Sequence, residues 1–132
     1  MSQENVELMR EFAEAWERGD VETMEALFQG RVGANFEFQP LYLDRAYKGA
    51  EVRQMWADIT GTWEDYRSEV EEILDLGEHV LTVARITGHG ASGGVPIDQR
   101  IFILSRFQGE TAVWAKSFAS REEALEAVEL RE

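Results

Sequence analysis

Residues 97–118, which read IDQRIFILSRFQGETAVWAKSF, decide the fold of this chain. Residues 97–107 are rich in β-branched and aromatic side chains and contain neither glycine nor proline. A polar turn around Gly109 follows, and residues 112–118 again favour a strand. Two such runs across a short glycine-containing turn are typical of a β-hairpin. The stretch therefore predicts the central hairpin of a curved antiparallel sheet.

The chain before this hairpin predicts helices whose apolar faces pack against a sheet. Apolar residues recur at helical spacing in residues 2–18, and Gly19 and Asp20 are typical of a helix end followed by the cap of a second helix over residues 21–28. A short strand is expected at residues 35–38. The third helix carries its apolar stripe on Val52, Met55, Trp56, Ile59 and Trp63.

Two further strands are expected at residues 67–76, with a bulge near 71–73, and at residues 79–87. Ser120 and Glu123 have the spacing of a capping box and open a last helix, whose inward side chains are Ala124, Leu125 and Val128. Helices come first and strands follow in a meander, so the pattern predicts one α+β domain over residues 1–132 and not a doubly wound α/β fold.

Composition excludes several classes of function. The 132 residues carry a formal net charge of −13, which disfavours non-specific binding to nucleic acids and to anionic membrane surfaces. The chain has no cysteine, which excludes disulfides and thiolate sites. It shows no signal-peptide pattern and no apolar run of about 20 residues. We therefore expect a cytoplasmic domain without a nucleic-acid or membrane partner.

Residues 88–93 match the pattern G-x-G-x-x-G of dinucleotide-binding sites. In such a site the third glycine begins a helix whose N-terminus holds the pyrophosphate. Here Pro96 and a strand follow instead, so the glycines predict a flexible hairpin loop. The two histidines, His79 and His89, have no metal-ligand spacing, and no G-x-S-x-G occurs. We expect no metal and no cofactor.

Several segments carry a resemblance to a known family, namely residues 15–20 (AWERGD), 26–28 (ALF), 47–49 (YKG), 76–77 (LG), 90–94, 108–109 and 120–125. With them the chain resembles the SnoaL-like, polyketide-cyclase-like branch of the nuclear transport factor two superfamily. The resemblance implies a cone-shaped α+β barrel in which a curved sheet wraps around a pocket closed by the N-terminal helices. It also implies a homodimer through the outer face of the sheet. The superfamily hosts several enzymes and non-enzymatic binders, so the fold alone does not choose among them.

The catalytic residues of well-known superfamily members are not matched. Alignment with ketosteroid isomerase places its oxyanion tyrosine at Phe12, its base near Phe38 and its oxyanion aspartic acid at Ile103, where this chain is apolar. Limonene-epoxide hydrolase needs two aspartates and an arginine. Asp98 and Arg100 lie two residues apart, but the last strand carries no carboxylate, and both are expected to point outward into a cross-strand or intersubunit salt bridge. The inward positions hold no obvious acid–base group for a cyclase.

The resemblance also implies which side chains face the pocket. It sends alternate residues of each strand inward, starting from Leu81, from Gln99 and from Trp114, and places a lid of aromatic side chains on the first and third helices. The expected ligand-binding residues are Phe12, Trp16, Phe38, Tyr47, Trp56, Val83, Arg85, Gln99, Ile101, Ile103, Trp114, Lys116 and Phe118.

Arg85 and Lys116 are the two cations of this expected pocket, and each needs an anion or several acceptors when buried. One hypothesis is that they hold a carboxylate or enolate-like oxygen of a small, largely apolar ligand, with Tyr47 as a proton donor if the protein is an enzyme. Alternatively, Arg85 pairs with an internal carboxylate and Lys116 extends to the rim. The sequence thus predicts a small-molecule-binding, cyclase- or isomerase-like protein, or else a non-catalytic module whose pocket is filled by its own side chains.

Overall fold

The predicted central hairpin is formed by β4, Pro96–Gln108, and β5, Thr111–Phe118, which pair antiparallel. Gly109 in the turn has a φ of 62°, a conformation that glycine adopts without strain. The turn contacts the N-terminal helix, because the side-chain amide of Asn5 donates a hydrogen bond of 2.9 Å to the Gly109 carbonyl.

The computed structural model of the protein describes residues 2–41, 43–90 and 94–131. The other elements of this part of the chain are α1 (Ser2–Arg18), α2 (Val21–Phe28), β1 (Phe38–Gln39), a 3-10 turn (Gly49–Glu51), α3 (Val52–Gly61), β2 (Trp63–Asp75), β3 (His79–Gly90) and α4 (Arg121–Arg131). The sheet has the strand order β1-β5-β4-β3-β2, and only β1 and β5 are parallel. The predicted α+β fold, a mainly antiparallel sheet around N-terminal helices with a short C-terminal helix, is confirmed, although the sheet is not closed.

Gly19 and Asp20 join α1 to α2 as the sequence predicts. Gly19 has a φ of 69°, and the amide of Asp20 donates to the Ala15 carbonyl at 2.9 Å, which closes the end of α1. The Asp20 carboxylate then caps α2 by accepting hydrogen bonds from the amide and the hydroxyl of Thr23 at 3.2 and 2.6 Å.

Strand β2 is longer than predicted and contains two irregularities. Its register against β3 shifts between Val70 and Glu72, which confirms the predicted bulge, and again between Glu64 and Arg67. Asp65, at the second site, has a positive φ of 56°. The strand begins at Trp63, so the assignment of Trp63 to the helical stripe is wrong. The strand predicted at 35–38 is wrong for residues 35–37, since β1 comprises Phe38 and Gln39.

Both faces of the sheet are covered. The larger core lies between helices α1–α3 and the inner face, where Met24, Val80 and Phe107 are almost completely buried. A smaller core lies between the outer face and α4, where Ala124 and Leu81 are fully buried. The Ser120 hydroxyl accepts a hydrogen bond from the Glu123 amide at 3.2 Å, as the capping box predicts. Ala124 and Val128 pack inward, but Leu125 is exposed, so its inward placement is wrong. Among the described residues no helix is both long and apolar enough to cross a membrane.

Candidate ligand cavity

A cavity of about 120 Å³ lies between the inner face of the sheet and helices α1–α3. Helix α1 contributes Met9, Phe12 and Trp16, and α3 contributes Val52, Met55 and Ile59. The wall is mainly apolar and aromatic. The polar side chains that reach it are those of Lys48, Thr62, Tyr66, Ser68, Thr82, Ser105 and Ser117, besides the indoles of Trp16 and Trp63.

Tyr66 joins helix α1 to strand β2 at the cavity. The Trp16 indole N–H donates a hydrogen bond of 2.9 Å to the Tyr66 hydroxyl oxygen. Burial raises the pKa of Tyr66 above 10.0, although the hydrogen bonds with Trp16 and Ser68 act in the opposite direction. The phenol is therefore neutral at pH 7 and carries a proton that it can donate.

Three hydroxyl-bearing side chains lie on the floor of the cavity. Thr82 on β3 and Ser117 on β5 are both paired with Ile103 of β4, so Thr82, Ile103 and Ser117 form one row across the sheet. Ser105 follows two residues after Ile103 on the same face. The hydroxyl oxygens of Thr82 and Ser105 are buried and form no hydrogen bond with any described residue.

The structure places five of the expected ligand-binding residues in the cavity wall, namely Phe12, Trp16, Phe38, Ile101 and Ile103. Gln99 lies on the same face of β4, opposite Ile86, but outside the wall. Trp56 packs behind the wall with its ring edge against Trp16, at 6.5 Å between ring centroids.

The inward orientation expected on β3 and β5 is wrong. Val83, Trp114 and Phe118 belong to the smaller core beneath α4, on the outer face. On both strands the intervening residues face the cavity, so that Thr82, Ala84 and Ile86 line it from β3, and Ala115 and Ser117 from β5.

Both expected pocket cations also lie outside the cavity. Arg85 forms two hydrogen bonds with Asp98, Nε to Oδ1 at 2.8 Å and Nη2 to Oδ2 at 2.6 Å, and this pairing raises the pKa of the guanidinium. The neighbouring Arg100 pairs with Glu71. The outward salt bridge expected for Asp98 is therefore present. Lys116 is exposed on the outer face, with Nζ 5.4 Å from the centroid of the Phe118 ring.

Tyr47 is buried in the larger core and does not line the cavity. Its hydroxyl donates a hydrogen bond of 2.6 Å to the Asp58 carboxylate, and the Arg45 guanidinium lies 4.3 Å from its ring centroid. Burial raises the pKa of Tyr47, and the hydrogen bond with Asp58 adds to this. Tyr47 therefore has a structural partner for its proton, away from the cavity.

Sequence reasoning missed Tyr66, Thr82 and Ser117 as wall residues. The alternation of side chains around Tyr66 could have placed the start of β2 before residue 67. The register shift at Asp65, which sets the side of the sheet on which Tyr66 lies, has no signature in the sequence. The glycine-rich motif at residues 88–93 falls partly in β3, and residues 91–93 lie outside the described residues. Among the residues that are described, no group of three or more His, Cys, Asp or Glu side chains could hold a metal ion.

Fold and cavity together define a class: an α+β protein with an apolar cavity between a mainly antiparallel sheet and helices α1–α3. The model of the SnoaL-like domain family matches residues 9–115. The chain therefore belongs to the SnoaL-like domain family.

Solved structures support the fold. An NTF2-like protein from Burkholderia thailandensis superimposes with a TM-score of 0.73 at 19% identity, over 92% of this chain and 96% of that chain. A putative SnoaL-like polyketide cyclase from Jannaschia gives a TM-score of 0.69 at 16% identity, over 96% and 92% of the two chains. A hypothetical protein from Catenulispora acidiphila, with a ketosteroid isomerase-like fold and solved with trimethylamine, gives 0.68 at 18%, over 91% and 90%. No curated protein matches the sequence.

Proposed function

We propose that this protein binds a small, neutral, largely apolar molecule in the cavity between its sheet and its helices. The observation that carries the proposal is the unfilled space of about 120 Å³ behind a wall of apolar and aromatic side chains. Protein interiors are close-packed, so a void of this size is unusual in a core with a structural role only. An engineered apolar cavity of about 150 Å³ binds benzene, so this smaller space suits a ligand no larger than benzene.

A neutral ligand fits the charges around the cavity better than an anion. Arg85 is held by Asp98, and Lys116 is exposed on the outer face. Lys48 is the one cation among the described wall residues, and its ammonium group pairs with Glu37 at 2.9 Å. An anion in the apolar wall would therefore lose its hydration without gaining an unpaired cation.

Binding is better supported than acid–base catalysis. The described wall residues include no Asp, Glu or His, which are the usual general bases of isomerases and cyclases. Lys48 is paired with Glu37, so a cyclase- or isomerase-like reaction would depend on the proton of Tyr66, whose pKa is raised by burial.

The homodimer through the outer sheet face stays a proposal. Helix α4 packs on Leu81 and Leu104 and so covers much of the apolar surface of that face. The dimer rests on the family resemblance, and the surface left for it beside α4 is the exposed charged patch formed by Arg85, Asp98 and Arg100.

Titration with methylenecyclopentane, a neutral hydrocarbon with as many carbon atoms as benzene, tests the proposed function by calorimetry. Ala84 is buried in the cavity wall, so Ala84→Leu should fill the space and abolish binding. Ala57 is exposed on α3, so Ala57→Leu adds the same atoms outside the cavity and should leave binding unchanged. Equal affinity of the Ala84→Leu variant and the unmodified protein would refute the cavity as the binding site.

A further inference from the structure

Two hydroxyl groups in the cavity wall are buried without a hydrogen-bond partner. Thr82 is 2% exposed and Ser105 is 1% exposed, and neither hydroxyl oxygen meets a partner among the described residues. A buried hydroxyl without a partner destabilises the fold, and most such groups in proteins are satisfied. An apolar residue at either position would avoid this penalty, so the two hydroxyls call for a partner from outside the chain.

The register of the sheet places the two hydroxyl-bearing residues next to each other on the inner face. Thr82 is paired with Ile103 and Ser105 with Val80, so Thr82 and Ser105 are diagonal neighbours on the inner face of β3 and β4. Diagonal neighbours have Cβ atoms about 7 Å apart. This separation is too great for a direct hydrogen bond, but one oxygen atom between them can lie about 2.8 Å from both hydroxyl oxygens.

We infer that Thr82 and Ser105 together bind the carbonyl oxygen of a neutral ligand, such as a ketone or an aldehyde. This inference rests on the proposed function and names the chemical class of the ligand. A carbonyl oxygen has two lone pairs and accepts one hydrogen bond from each hydroxyl. A hydrocarbon would leave both hydroxyls unpaired, whereas a carboxylate would bring an unpaired charge into the wall.

The apolar part of the same ligand would lie against the rest of the wall. Ile103 lies beside both hydroxyls on β4, and Phe12 and Trp16 line the same cavity from α1. The ligand is thus oriented with its oxygen toward the sheet and its hydrocarbon part toward the helices.

The test compares two ligands of nearly equal shape, cyclopentanone and methylenecyclopentane, in which C=CH₂ replaces C=O. Calorimetry gives the ratio of their affinities for the unmodified protein and for the double variant Thr82→Val, Ser105→Ala. We expect the ratio of ketone to alkene affinity to fall about tenfold in the variant, which is the value of one to two net hydrogen bonds. Alkene affinity should not decrease.

Thr87→Val is the matched control. Thr87 follows Thr82 on β3 but lines a surface groove beside Arg85 and not the cavity, so its loss of a hydroxyl should leave the ratio unchanged. If both ligands bind and the ratio is the same in the double variant, the inference is refuted and the proposed function stands. If neither ligand binds the unmodified protein, the proposed function fails and this inference fails with it.

A second measurement requires no ligand. If the Thr82 hydroxyl lacks a partner in the free protein, Thr82→Val should raise the midpoint of thermal unfolding. A lower midpoint would mean that a structural partner, such as a buried water, already satisfies this hydroxyl, and would overturn the assignment to a ligand.

Discussion

Replacement of Gly19 by alanine should destabilise the protein through two separate effects. Gly19 has a φ of 69°, which is unfavourable for alanine. In addition, an added Cβ would lie 3.0 Å from Cζ2 of Trp56, closer than ordinary van der Waals contact. Trp56 in turn packs against Trp16 in the cavity wall. The substitution should therefore displace Trp56 and disturb Trp16.

Gly30→Ala separates these two effects. Gly30 has a similar φ of 76°, but an added Cβ there meets no described atom within 4 Å. The left-handed backbone conformation alone costs about 1–2 kcal/mol, which is the loss expected for Gly30→Ala. Overpacking against Trp56 adds about 1–3 kcal/mol, so Gly19→Ala should lose about 2–5 kcal/mol in all.

The assay is urea unfolding of both variants, followed by circular dichroism. Tryptophan fluorescence of the folded state provides a second readout, because only Gly19→Ala should change the environment of Trp56 and Trp16. An equal loss of unfolding free energy in the two variants would show that the contact with Trp56 has no energetic effect. The reasoning would then be wrong.

Three further predictions concern charged and titratable groups. Hydrogen bonds from Thr23 lower the pKa of Asp20 in the folded protein. The ionised Asp20 carboxylate therefore stabilises the fold above its ordinary pKa, and this stabilisation is lost as the pH falls through the pKa of the folded state. Asp20→Asn should weaken the pH dependence of unfolding below about pH 4. Burial raises the pKa of Tyr66, so the free energy of unfolding should fall as the pH rises above about 10. Tyr66→Phe should reduce this fall, which unfolding measurements at alkaline pH can show. If the proposed dimer uses the charged patch on the outer face, Arg85→Glu should convert it to monomer in light scattering, because the patches of the two protomers would then both be more negative and would repel each other. A monomeric unmodified protein would contradict the dimer.

Local signals in the sequence predicted the secondary structure well. The cap at Asp20, the capping box at Ser120 and the turn at Gly109 depend on neighbouring residues only, so they can be recognised without tertiary information. The central hairpin was predicted for the same reason. Trp63 was misplaced because an aromatic residue at helical spacing after α3 is equally suited to begin a strand.

The orientation of β3 could not be read from alternation. Leu81 and Val83 pack under α4, while Thr82, Ala84 and Ile86 line the cavity, so both faces of the strand are buried. A strand that is buried on both faces has no polar face to mark the direction of its side chains. Arg85 was misplaced with this choice of face, and Lys116 with the corresponding choice on β5.

Burial of β3 on both faces also has a consequence for the exchange of amide hydrogens with solvent. Val80, Leu81, Thr82, Val83 and Ala84 are each at most 3% exposed, and β3 pairs with β2 and β4 along its length. Its amides can exchange only when the larger and the smaller core are both opened, which amounts to global unfolding. Exchange from β3 should therefore report the full stability of the protein, whereas α4, which covers one face only, can detach and exchange sooner.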